Sequence, residues 1–446
     1  MLIFLFICFP ILYYWVCKRN NVLSHCSVFI LAITFSDFAK RAIYSYGIDL
    51  NEWYYPITLL PDTVFFCILL LSFPRVNLKR FLFVMLFNSS IIAYSVWQND
   101  LSAIFANVKT VYWYLTILIL PSKYFNITLD GIRDYYRLFL GLCFIAGGYG
   151  LMQFFFGYFR YELNWFAFSP TKMGFLGVTS QGKVFRAFSF FSGIQEAALF
   201  YSYVILLMLM TIKKDSAEMV INATMILFLC LALITTGAKG VWAGLIISIF
   251  IFILKIPKRP IICLLTICSP MWFLAILQKS VLYQFVMFVR SIFPGSIIKL
   301  VDPGTMVPRL EIFIGFFKDL KINAQFFFGH GIGSTIGLTK SLIFFDNMYL
   351  QILWEFGFIG IVSFLFIIYL VFRAYAAVDK TKLKNYERTL LNVSYCYIIM
   401  VMVNLYSSQS FLIRSVLILF ICSVMIIFHL RHKYQLFPGM NYSCAC

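Results

Sequence analysis

From Met348 to Phe372 the chain reads Met-Tyr-Leu-Gln-Ile-Leu-Trp-Glu-Phe-Gly-Phe-Ile-Gly-Ile-Val-Ser-Phe-Leu-Phe-Ile-Ile-Tyr-Leu-Val-Phe. This run exceeds the roughly 20 apolar residues that a helix needs to cross the hydrocarbon of a bilayer. Two members break its apolar character, Gln351 and Glu355, and Asn347 stands just before it. The three are four residues apart, so they line one face of the helix from the water into the membrane. A carboxylate facing lipid costs about 3 kcal/mol, so this face is expected to turn toward a bundle interior.

Reading outward by the same rule predicts spans near 1–17, 22–39, 57–73, 81–97, 104–120, 138–158, 193–212, 219–236, 240–254, 261–277, 391–406 and 411–430. The expected fold is all-α: a polytopic integral membrane protein of about 12 to 13 transmembrane helices, a single transmembrane domain over 1–446. Composition agrees, with 62% apolar and 12% charged residues where ordinary soluble chains carry about a quarter charged. Met1 to Val16 is apolar from its first residue and Lys18-Arg19 follows it, which is not the order of a signal peptide; it reads as a retained span.

Alternating the spans gathers Lys18/Arg19, Arg75/Lys79/Arg80, Lys123/Arg133/Arg137, Lys213/Lys214, Lys255/Lys258/Arg259, Arg373 to Arg388 and Arg431/Lys433 on one side. The positive-inside rule makes that side cytoplasmic and puts the C-terminus there. Two long segments, 159–192 and 278–346, fall on the opposite side, where long connections usually carry function. The net charge of +18 is spread over many short loops, which fits a bilayer and speaks against nucleic-acid binding. Of twelve cysteines, ten lie in or beside apolar runs without metal-ligand spacing and read as small hydrophobes; neither a zinc site nor a disulfide framework is expected. No internal repeat of the transporter kind is visible.

Three stretches hold more polar chemistry than a bilayer requires. In the first, Arg186-Ala-Phe-Ser189-Phe-Phe-Ser192-Gly193-Ile-Gln195-Glu196 sets a small polar stripe at helical spacing below Arg186. Glu196 there either binds substrate or fixes helix packing. The second, Thr235-Thr-Gly237-Ala-Lys239-Gly240-Val-Trp242, is a tight turn presenting Lys239, equally readable as an interfacial anchor beside Trp242. The third runs from Arg309 through Gly329-His330-Gly331-Ile-Gly333 to Asp346-Asn347-Met-Tyr349 and the polar line of Gln351 and Glu355. His330 is a candidate base or donor, and Asp346 a candidate base or simply a helix cap.

These stretches, in this order and at these positions, resemble the O-antigen polymerase (Wzy) and O-antigen ligase superfamily of bacterial envelope enzymes. The resemblance covers about 186–360. It implies a GT-C-like membrane fold in the bacterial inner membrane with its site facing the periplasm, and an undecaprenyl-pyrophosphate-linked oligosaccharide as donor. It also implies metal-independent glycosyl transfer without a cofactor, alongside a chain-length regulator and a flippase. Arg186 and Arg309 match the family's two arginine positions and are expected to hold the pyrophosphate. Lys239 stands where many members carry an arginine, and Asp346-Asn347 stands where ligases carry His-Asn, a departure that favours the polymerase. The resulting expectation assigns catalysis to Arg186, Arg309, Asp346 and His330. Lys239, Glu196, Asn347, Gln351, Glu355 and Tyr349 are expected to bind substrate. A ligase acting on lipid A-core and a flippase without chemistry are the rival readings.

Overall fold

The computed structural model describes residues 22–45, 129–168, 176–179, 182–191, 193–211, 216–254, 260–263, 324–331, 334, 347–406 and 414–434, with isolated helical positions at 82, 86, 89, 93, 96 and 265. The spans expected at 1–17, 57–73 and 104–120 lie outside the described residues, as do Arg309 and Asp346 and most of 278–346.

The described chain runs α1 (Val22–Ser45), α2 (Leu129–Phe156), α3 (Arg160–Phe168), β1 (Leu176–Thr179), β2 (Gly182–Phe185), α4 (Ile194–Thr211), α5 (Ser216–Thr236), α6 (Lys239–Ile253), α7 (Ala324–Phe328), α8 (Met348–Ala376), α9 (Asn385–Asn404) and α10 (Arg414–Lys433). Among the described residues, five helices are long and apolar enough to cross a membrane: Gly131–Phe156, Ile194–Thr211, Met219–Thr236, Met348–Ala376 and Ser415–Lys433; α6 is a shorter apolar helix. The protein is membrane-spanning, and outward-facing side chains such as Ile145, Leu227, Phe250 and Phe366 are apolar and exposed, as lipid contact requires.

The described architecture is helical as expected, with one short addition. Within 159–192 the chain forms α3 and then a two-stranded antiparallel ribbon, with Leu176 opposite Phe185 and Thr179 opposite Gly182. Val178 and Val184 favour extended backbone. Helix ends also outrun the apolar segments. The helix α2 begins nine residues before the span expected at 138, and carries Arg133 and Arg137 in its first turns. Straight-chain charged residues are good helix formers, so a helix does not stop where the hydrocarbon does.

The centre of the bundle is α4 with α9 and α10. From Glu196 to Met208 every residue of α4 is buried, and most of α9 is too. The helix α6 lies against α9 at Gly244, where a Cβ would come within 2.6 Å of the Met400 carbonyl oxygen. Cys143, Cys230, Cys263 and Cys396 are free, as expected of small hydrophobes, but Cys422 is disulfide-bonded.

The two ends of the bundle are distinct. At one, Asp379 N–H donates to the Tyr434 carbonyl at 2.8 Å and Lys433 pairs with Glu387 at 2.9 Å, so two of the seven basic segments, the loop after α8 and the end of α10, meet. At the other, Met348 N–H donates to the Leu405 carbonyl at 2.9 Å and Asn404 donates to Gln195 at 3.4 Å.

Candidate functional site

Arg186 leaves β2 and enters an irregular segment that reaches α4 at Ile194. Its backbone N–H donates to the Tyr158 hydroxyl at 3.2 Å, and that hydroxyl donates to the Arg186 carbonyl at 2.8 Å. Burial pushes the Tyr158 hydroxyl up to about 12, so the donor is retained at neutral pH. Ala187 N–H donates to the Thr235 carbonyl at 3.0 Å, tying this segment to the turn between α5 and α6.

That turn passes through Gly237, whose φ of 65° favours glycine. The half-buried Arg186 side chain lies against it, its Nε 3.5 Å from where a Cβ on Gly237 would stand. Lys239 opens α6 two residues on and is exposed. Two motifs separated by about 50 residues of sequence thus meet at one glycine turn, Arg186 through its side chain and Lys239 through its backbone N–H, which donates to the Gly237 carbonyl at 3.1 Å.

The segment after Arg186 is fixed from below. Gln153 Oε1 accepts from Phe188 N–H at 3.1 Å and Ser189 N–H at 2.8 Å. Ser189 takes a φ of 55°, a conformation that costs about 1 to 3 kcal/mol off glycine and persists only when its surroundings dictate it. Here they do: Ser189 Oγ donates to the Ala146 carbonyl at 2.7 Å, and Arg41 Nη1 donates to the Ser189 carbonyl at 2.9 Å. Arg41 Nη2 also reaches the Phe191 carbonyl at 3.2 Å, and the guanidinium lies 4.9 Å from the centre of the Phe188 ring. Its counter-charge is Glu162, 3.7 Å away, which accepts from Tyr149 at 2.9 Å and from Phe159 N–H at 3.0 Å. Burial drives the Glu162 carboxyl above its ordinary value, although Arg41, the Phe159 N–H, Gln153 and Tyr161 all pull the other way.

Arg41, Gln153 and Glu162 were not among the sequence candidates. Two signals in the sequence pointed to Arg41 and Gln153, and none to Glu162. Gln153 lies inside an apolar run, and Lys40-Arg41 follow the 22–39 run without belonging to the shared basic loops.

The third motif builds something else. The helix α8 is broken at Gly357, with φ 65° and ψ −166°. The Trp354 and Glu355 carbonyls beside the break accept from His330 N–H at 2.8 Å and Gly331 N–H at 3.0 Å. Gly329 and Gly331 have φ of 79° and 83°, and a Cβ on Gly329 would collide with the Glu355 carbonyl, which explains why glycines flank the histidine. The His330 ring stacks on Trp354, centroids 3.9 Å apart at 8°, with Nδ1 3.3 Å from the Trp354 carbonyl oxygen. The loop therefore supplies the hydrogen bonds that the helix forgoes, as non-helical backbone at membrane depth requires.

Along α8 the polar line faces inward. Asn347 caps the helix, its Oδ1 accepting from Tyr349 N–H at 2.9 Å and Leu350 N–H at 3.3 Å; the cap is Asn347, next to Asp346. The buried Tyr349 hydroxyl donates to the Met402 carbonyl at 2.8 Å. Gln351, 2% exposed, donates to Glu355 at 3.4 Å, and its Oε1 has no partner among the described residues. Glu196 is buried and accepts from the Ser415 hydroxyl, joining α4 to α10.

Arg186, Lys239 and the Gly237 turn therefore form one group, and His330, Gln351 and Glu355 gather around the broken helix as a second. Glu196, Asn347 and Tyr349 engage helix ends and neighbouring backbone. Comparison with protein-family models and with curated proteins finds no match to this chain.

Proposed function

We propose that this protein is a surface-polysaccharide polymerase of the O-antigen type, a glycosyltransferase of the bacterial inner membrane. It transfers an undecaprenyl-pyrophosphate-linked glycan onto a new lipid-linked repeat unit on the periplasmic side. The observation that carries the reading is the meeting of Arg186 with the Gly237–Lys239 turn at the end of the bundle opposite the basic loops. A guanidinium held beside a glycine turn, with an ammonium on the adjoining helix, suits an anion with several oxygens, and pyrophosphate is both that anion and the leaving group.

In this mechanism Arg186 and Arg309 grip the pyrophosphate and stabilise its growing charge, with Lys239 assisting. Asp346 orients or deprotonates the acceptor hydroxyl. Gln351 and Glu355 offer hydrogen bonds to a sugar; the unpartnered Oε1 of Gln351 accepts from a hydroxyl. His330 serves the site by holding the break in α8.

The test is the lipopolysaccharide banding of a deletion strain complemented with wild type, Arg186→Ala or Arg309→Ala. The polymerase predicts core plus one repeat unit in the deletion, rescue by wild type, and at least about 100-fold less polymer with either membrane-inserted variant, the range for removing one donor to a developing oxyanion. Bare core with accumulated lipid-linked polymer identifies a ligase instead. Bare core without periplasmic polymer identifies a flippase.

A further inference from the structure

At the opposite end, beside the basic loops, a cavity of about 520 Å³ opens between α2, α4, α5 and α9. Arg133 and Arg137 line it from α2. They are four residues apart and so share a face, with Arg137 one turn further along the helix. Both are exposed, and neither has a hydrogen bond or ion pair among the described residues. Among the described side chains, the carboxylates at this end are engaged or turned elsewhere. Glu387 is bonded to Lys433, Tyr434 and Lys384 N–H; Asp379 to Thr381 and Lys382. Asp134 lies on the first turns of α2 between the two arginines in sequence but does not line the cavity, and has a partner of its own.

The rest of the wall is mostly apolar. Leu140 continues the arginine face along α2, Leu207 comes from α4, and Ile221 from α5 is 64% exposed, so the cavity opens sideways toward lipid. Thr389, on the α9 side, ties the two central helices by donating to the Met210 carbonyl at 3.2 Å.

We propose that this cavity binds one anionic phospholipid from the leaflet beside the basic loops. The phosphodiester sits on Arg133 and Arg137, and an acyl chain follows Leu140, Leu207 and Ile221 toward the lipid. Charge complementarity selects the headgroup: a phosphatidylglycerol brings a net negative charge to two guanidinium groups that are unpaired among the described residues, whereas the ammonium of a phosphatidylethanolamine cancels it. The apolar walls select a lipid over a free phosphate, since each buried methylene adds about 0.8 kcal/mol. The site is remote from the glycan end and does not depend on the proposed transfer reaction.

The experiment is native mass spectrometry of the full chain, delipidated in detergent and offered equal phosphatidylglycerol and phosphatidylethanolamine, then inorganic phosphate or glycerophosphoglycerol alone. Expected is one bound phosphatidylglycerol at about a tenfold preference, falling to parity in the Arg133→Gln/Arg137→Gln double variant. The preference should persist in Arg133→Lys/Arg137→Lys, and all retention should fall in Leu140→Trp, which sets an indole across the acyl-chain path. Parity in wild type, an unchanged preference in the double Gln or the Leu140→Trp variant, or equal binding of the chainless headgroup would each overturn the proposal. If the double Gln variant does not fold, the Leu140→Trp comparison decides alone. The readout is bound lipid, so a chain without glycosyl transfer gives the same answer.

Discussion

Glu162 and Glu387 are both 0% exposed and both paired with a cation, one at each end of the bundle, yet their acidities move in opposite directions. At the Arg186 end Glu162 is pushed up by burial, and its partner Arg41 is 3% exposed, so both charges sit away from water. At the basic end burial also pushes Glu387 up, but hydrogen bonds from Lys433, Lys384 N–H and Tyr434 overcome it and the net shift is down; Lys433 is 45% exposed. A carboxylate buried with a solvated partner is stabilised by it, whereas a carboxylate buried with a buried partner shares a desolvation cost. The first arrangement clasps a surface. The second fixes a geometry, here the Phe188–Phe191 backbone below Arg186.

The change expected to break this contrast most is Arg41→Met. It strands Glu162 and frees two carbonyls, for a loss of about 3 to 5 kcal/mol, read as a lowered Tm with the proposed polymer synthesis lost alongside. Adding Glu162→Met removes the orphaned charge and should recover much of the stability but not the activity, because the Ser189 carbonyl still lacks its donor. Next is Gly357→Ala, which forces a side chain into a positive φ against the Phe327 backbone. It should cost about 1 to 3 kcal/mol and expose the 324–331 segment to protease while leaving the basic end protected.

Titration sharpens the contrast because the signs differ. The raised Glu162 value means the folded state holds that proton more tightly than the unfolded chain. Ionisation therefore opposes folding, and the stability of wild type over Glu162→Gln grows as pH falls from the raised value toward the ordinary 4.5. Glu387 contributes stability that is present above 4.5 and is lost as pH falls through its lowered value, so the advantage over Glu387→Gln shrinks there. Melts of the three proteins between pH 7 and pH 3 check both slopes. Lys433→Met should have the smallest effect, about 0 to 1 kcal/mol and less at high salt, since its ammonium is half solvated.

Much of the fold was legible because hydrocarbon imposes a length on apolar runs: α4, α5, α8 and α10 lie within a few residues of where hydropathy puts them. The ends were not, because Lys40, Arg41, Arg133 and Arg137 continue their helices, and nothing in a charged residue marks the last turn. Four-residue strands are too short to show a period of two, which hid the ribbon at 176–185. In the site, motif spacing singled out Arg186 and the Gly237 turn. It could not show that the Asn347 and Tyr349 polar groups serve a helix cap and the Met402 carbonyl, since such partners are chosen by tertiary contact. Gly357 sits in an apolar run that tolerates glycine, so the break was silent.

That break bears on how the chain enters a bilayer. A helix covering 348–376 that partitions into lipid alone keeps its carbonyls bonded by staying continuous through Gly357, since each unsatisfied group in hydrocarbon costs several kcal/mol. The bend therefore belongs to the assembled protein and forms when His330 and Gly331 bring their N–H groups. Residues 324–331 are synthesised before the helix they will split, so they wait at the membrane for it. The end of the bundle that carries the broken helix is finished by a docking event after insertion.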